Sequence, residues 1–66
     1  EPQNWRGYMF IAKMYQEIIP KMGNFDELDS ARHYLDEAIM LAPERKEVLN
    51  IEQQIKHMEK QRDNAL

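Results

Sequence analysis

The chain has 66 residues, 42% hydrophobic and 32% charged, with a formal net charge of −3 and no cysteine. That length admits one small domain and excludes a nucleotide-binding α/β sheet, a barrel, or a hydrolase core with its own triad. Without cysteine there is neither a disulfide framework nor a thiolate zinc site, and the compartment stays undecided.

In so short a chain, apolar burial at ~25 cal/mol per Å² barely offsets ~1.5 kcal/mol of conformational entropy per residue. The expectation is a chain that leans on a covalent neighbour or on a second copy. It starts at Glu1 rather than Met, which leads us to expect a piece of a longer polypeptide. Charge is spread unevenly. Residues 26–44 carry Asp26, Glu27, Asp29, Asp36, Glu37 and Glu44 against Arg32 alone, while the segments on either side are each close to neutral. No basic stripe follows a phosphate backbone, so nucleic-acid binding is not expected. The longest apolar runs, residues 8–12 and 38–42, have five residues, far short of the ~20 that a membrane helix needs.

The first helix is expected over about residues 4–20. Trp5, Tyr8, Ala12, Tyr15, Ile19 and Met22 step by three and four, and Ile11 and Ile18 widen that stripe. Asn4 is placed to cap its start, and Pro20 should end or kink it before the Gly23-Asn24 turn. The second helix is expected over about 26–42, with Leu28, Ala31, Leu35, Ala38 and Ala42 on one face and Asn24 or Asp26 as its cap. Pro43 stops it. The third is expected over about 44–62. Its narrow seam of Val48, Ile51, Ile55 and Met58 lies among charged and amide side chains, with Glu52 and Lys56 as an i,i+4 pair and fraying beyond about Lys60. No strand pattern competes, and short loops force neighbours to run antiparallel. The fold class is all-α, an antiparallel three-helix array.

Ala31, Leu35, Ala38 and Pro43 place small, bulky and small residues and then proline at spacings of four, three and five. Gly23-Asn24-Phe25 sets a glycine and an aromatic at the preceding turn. This pattern resembles the tetratricopeptide repeat, over about residues 9–43. The resemblance implies a close-packed helical hairpin, with the third helix as a capping helix or the start of a next repeat. Between Phe25 and Ala31 the chain has three residues more than the standard 34-residue repeat. Gln16 and Ile19 also stand where the family prefers a small residue and tyrosine. A narrower resemblance, through Ala12-Lys13-Met14-Tyr15 and Leu41 to Val48, is to the repeat-bearing C-terminal tails of bacterial O-antigen ligase or polymerase-type membrane proteins.

The tetratricopeptide resemblance implies a non-catalytic protein–protein interaction module with protein or peptide partners. Its groove positions fall on Phe10, Lys13, Glu17 and Lys21. Glu17 occupies the position where the carboxylate-clamp members need asparagine, so a peptide C-terminus would be repelled there. Phe10 is off the buried stripe and needs a cover. Met14 and Met40 also lie off the main stripes and are candidates for self-association in a homo-oligomer, whereas Met22 and Met58 read as core. Asp29, His33 and Glu37 at i, i+4 and i+8 read as a solvated face, and no metal or other cofactor is expected. Ser30 and His33 three residues apart are a helical coincidence without oxyanion donors, so no catalytic residues are expected.

Overall fold

A computed structural model describes residues 4–65 of the chain, which form α1 (Trp5–Met22), α2 (Leu28–Leu41) and α3 (Lys46–Ala65). No strand occurs among these residues. Asn4 occupies the N-cap of α1 without a side-chain cap hydrogen bond. Its amide lies 2.9 Å from where a Cβ on Gly7 would stand, so glycine at that position leaves room for it.

α1 passes through Pro20 and closes two residues later. Proline forfeits one helical hydrogen bond, and it does so in the last turn, where Pro20, Lys21 and Met22 are all exposed. Gly23 then ends the helix in the left-handed region, with φ 76°. A Cβ there would meet nothing within 4 Å, so the demand for glycine comes from the backbone angle. Neither Asn24 nor Asp26 caps α2, and Asn24 instead shapes the turn before it. Its Oδ1 accepts the Asp26 N–H at 3.0 Å, the Leu28 N–H donates to the Phe25 carbonyl at 3.1 Å, and Glu27 holds the N-cap of α2. α2 therefore starts two residues later than the acidic run suggests.

At the far end of α2 the Ala42 N–H still donates to the Ala38 carbonyl, but φ −146° carries Ala42 out of the helix. Pro43 disfavours the α conformation in the residue before it. Pro43 and Glu44 form a turn, and α3 begins at Lys46 rather than at 44. α3 also runs on to Ala65, past the expected fraying point. Arg62 holds this last turn, pairing with Asp29 of α2 at 3.1 Å and with Asp63 at 3.6 Å.

The core is formed by Trp5, Ala12 and Ile19 of α1, by Leu28, Ala31, Leu35 and Ala38 of α2, and by Ala42. From α3 come Val48, Ile51, Ile55 and Met58. The α1–α2 contact is the most extensive of the three. Alanine at 31 and 38, both fully buried, keeps that face of α2 low, and low side chains are what allow helices to approach closely. Trp5 lies beside Leu41 and Ala42 at one end, while Ile19, Phe25 and Met58 meet at the other. α1 and α2 are thus antiparallel. α3 lies along one side of this hairpin and returns antiparallel to α2, because Arg32 meets Glu59 while Asp29, three residues earlier, meets Arg62, three residues later.

The Arg32–Glu59 contact is bidentate. Nε donates to Oε2 at 2.9 Å and Nη2 to Oε1 at 2.7 Å, and Nη1 reaches Asp36 at 3.3 Å. The hydrogen bonds from Arg32 hold the Glu59 carboxyl below its ordinary value of 4.5, against an opposing desolvation effect. A depressed carboxylate contributes stability above its unfolded value, and that contribution is lost as the pH falls through the folded one. Glu59→Gln should therefore cost about 1 kcal/mol near neutral pH, and the deficit against the parent chain should shrink below the ordinary glutamate range. Urea melts at pH 7 and pH 3 measure both. In the core, Ala38→Leu should lower stability by roughly 1–3 kcal/mol in the same assay, because the added volume has no space between α1 and α2.

Candidate functional site

α1 carries apolar side chains around more than half of its circumference, and its two neighbours cover only part of that arc. Trp5, Ala12 and Ile19 are buried, and Tyr8, Met9, Ile11 and Tyr15 are half-buried. Phe10 remains 61% exposed, Met14 53%, Ile18 50% and Met22 44%. Met22, which its spacing assigns to the core, is thus at the surface. It lies in the last turn of α1, on the side of the hairpin that α3 leaves uncovered. Met58 is buried as its spacing requires.

A shallow apolar groove runs along α1, lined by Ile11, Met14, Tyr15 and Ile18. It continues past Met14 and Ile18 to Glu17 and Lys21. Phe10, Lys13, Glu17 and Lys21, spaced by three and four, are all exposed along the outer side of α1 and flank this groove. The four residues that the repeat resemblance singles out therefore share one surface with Met14. Met40 does not join them. It is 78% exposed and stands two residues past buried Ala38, on the opposite side of α2 from the core.

The Tyr34 ring lies between those of Tyr8 and Tyr15, with centroids 6.4 and 6.1 Å apart and near-parallel planes, and it ties the two helices together beside the groove. The His33 ring meets Tyr34 edge-on at 5.3 Å. At the hairpin's open end, the guanidinium groups of Arg6 and Arg45 sit 4.8 and 5.0 Å from the Trp5 ring centroid, and the Arg45 contact fastens the α2–α3 turn to the start of α1.

Gly23 ends α1, and Phe25 is half-buried against the core near Ile19 and Met58. Ala31, Leu35 and Ala38 are fully buried, and Pro43 is exposed in the turn after α2. Asp29 is engaged by Arg62, and no group of three metal-ligating side chains occurs among the described residues. Among these residues no hydrogen bond joins Ser30 to His33, and no ion pair joins Glu52 to Lys56. Comparison of the chain with protein-family models, with curated proteins and with solved structures finds no match.

Two polar features escape a reading of single helices, namely the Arg32–Glu59 and Arg62–Asp29 pairs across α2 and α3. The signal available in the sequence was their matched offset: an antiparallel register of α2 and α3 that brings one pair together brings the other as well. The apolar outer side of α1 should be replaceable without unfolding the chain. Phe10→Glu and Met14→Glu should each stay within about 0.5 kcal/mol of the parent in thermal or urea melts. Ile19→Ala, by contrast, should cost about 2–5 kcal/mol, as truncation of a fully buried side chain does.

Proposed function

We propose that the chain is a non-catalytic protein–protein interaction module of tetratricopeptide type, presenting the outer side of α1 to a protein or peptide. The observation that carries this reading is the row of large apolar side chains at Phe10, Met14, Ile18 and Met22, left at the surface of a helix whose other side is in the core. Apolar side chains exposed in a contiguous row mark an interaction site more often than chance exposure does. Methionine at 14 and 22 suits such a surface, because an unbranched thioether adapts to partners of differing shape.

The charged groups beside the row support the same reading. Lys13, Glu17 and Lys21 provide two ammonium groups and one carboxylate along its outer edge, the mixed polar rim that surrounds an apolar centre in protein interfaces. The close hairpin with buried Ala31 and Ala38 supports the repeat-type assignment, and α3, apolar on one narrow seam, takes the place of a capping helix. No helix among the described residues is long and apolar enough to cross a membrane.

A photo-reactive amino acid at Met14, incorporated in the cells that make the protein, tests the reading directly. Irradiation should give a discrete adduct with another protein, and the same group at exposed Gln53 on α3 should give none. Equal labelling at the two positions would remove the case for a binding side on α1. An adduct formed only between two copies of the chain would replace it with self-assembly through Met14.

A further inference from the structure

The hairpin of α1 and α2 has two broad sides, and α3 covers only one of them. On the uncovered side, Tyr8, Ile11, Tyr15, Ile18 and Met22 follow one another along α1 at spacings of three and four. None of these five is fully buried. Along α2 the same side carries Glu27, Ser30, Tyr34, Glu37 and Leu41, again at three and four, and all five are half-buried. The stack of Tyr34 between Tyr8 and Tyr15 joins the two rows into a single furrow. Resting on the proposal that this side of the chain binds protein, we infer that the furrow accepts one amphipathic α-helix, with an apolar seam spaced by three and four and basic residues on the flank that faces α2.

The covered side supplies the geometric precedent. There α3 buries Val48, Ile51, Ile55 and Met58, at spacings of three, four and three, against the same two helices. Its flank is held by ion pairs to α2, Arg62 with Asp29 and Glu59 with Arg32. On the uncovered side the apolar row of α1 offers an equivalent seam. The α2 row differs in holding two carboxylates, Glu27 and Glu37, and neither has an ion-pair partner among the described residues. Ten residues separate them, or roughly 15 Å along the helix. A helix lying in the furrow would take both carboxylates partly out of water, which is unfavourable unless each meets a cation. Lysine or arginine about three turns apart on the incoming helix meets that need.

Charge also decides against a second copy of this chain in the furrow. Folding the side onto itself would bring Glu27 and Glu37 against rows whose apolar members offer no cation, with Lys13 and Lys21 out at the edge of α1.

Two synthetic peptides of about 18 residues, matched to the length of α1, test this assignment. Both carry a leucine seam at spacings of three and four; one has lysine on the flank and the other glutamate. Binding is followed by backbone amide NMR shifts and by fluorescence anisotropy of labelled peptide. The lysine peptide should bind saturably and shift the amides of Ile11, Tyr15, Ile18 and Tyr34, with the glutamate peptide at least about tenfold weaker. Glu27→Lys with Glu37→Lys should reverse that order, and Ile18→Asp, at a half-exposed position, should abolish binding of both while leaving the melting curve intact.

Equal binding of the two peptides, or an unchanged order after the charge reversal, overturns the assignment. So does a concentration-dependent dimer in sedimentation equilibrium that Ile18→Asp dissolves. If neither peptide binds while the Met14 adduct still forms, the helix assignment fails and the interaction reading stands. If the lysine peptide binds as expected but Met14 gives no adduct, the furrow takes such a helix and the cellular role proposed for the outer side of α1 fails.

Discussion

The contact on which the rest of this molecule depends is the close approach of α1 to the alanine-bearing face of α2. With 66 residues the chain has few large side chains to bury, and twelve of the described residues make up the buried apolar set. Dispersion and apolar burial in so small a core depend on distance, because a gap of half an ångström to an ångström already forfeits a large part of each contact. Ala31 and Ala38 remove that gap. On the same face of α2, Leu28 and Leu35 are fully buried in the core to which all three helices contribute. α3 needs no more than a narrow seam to close that core, and the rest of its surface can be polar.

The same economy explains where the surplus apolar surface lies. α2 is central, and a central helix uses its sides on both neighbours. α1 and α3 each have one side inward, but only α3 matches its pattern to that demand. Most positions outside its seam are charged or amide, and Leu49 is the one large apolar side chain left exposed on it. α1 carries apolar residues well beyond the reach of its partners, and burying them would require another element on the opposite side of the hairpin. The uneven ends of the array thus come from one sequence difference, the width of the apolar arc on α1 compared with α3.

Much of this was legible before the fold was seen, where a residue's role depends on its own helix. The stepping of Ala31, Leu35 and Ala38 names a buried face from helical period alone, and the left-handed Gly23 marks a helix end through its backbone freedom. Pro20 was harder. Its sequence signal is a missing donor, but the consequence depends on how near the helix end lies and on whether water reaches the carbonyl left behind. Met22 and Ile18 read as members of the inward stripe because spacing says which residues share a side and nothing about how far a neighbour extends over it. The Arg32–Glu59 and Arg62–Asp29 pairs depend on the relative register of two helices, which no single-helix pattern contains. The candidate site was legible in its members, with Phe10, Lys13, Glu17 and Lys21 on one outer stripe beside Met14. Met14 and Met40, the two methionines off the main stripes, lie on different sides of the array, a difference set by how the helices pack and not by spacing along either one.

Register also bears on the polar groups. Where α3 meets α2, a basic and an acidic side chain on each helix face their opposites, so the charges near the core are paired and the seam is flanked rather than interrupted. On the open side of the hairpin, Glu27 and Glu37 stand half-buried beside apolar and aromatic neighbours without such pairing. Two carboxylates at those places would be costly under an ordinary apolar cover and are tolerable in water. They let the open side display aromatic and aliphatic groups while opposing indiscriminate burial, since any cover must also answer two negative charges. An apolar face with fixed charges in it is selective in this sense: the aliphatic row of α1 supplies the attraction, and the acidic members of α2 restrict which surfaces can use it.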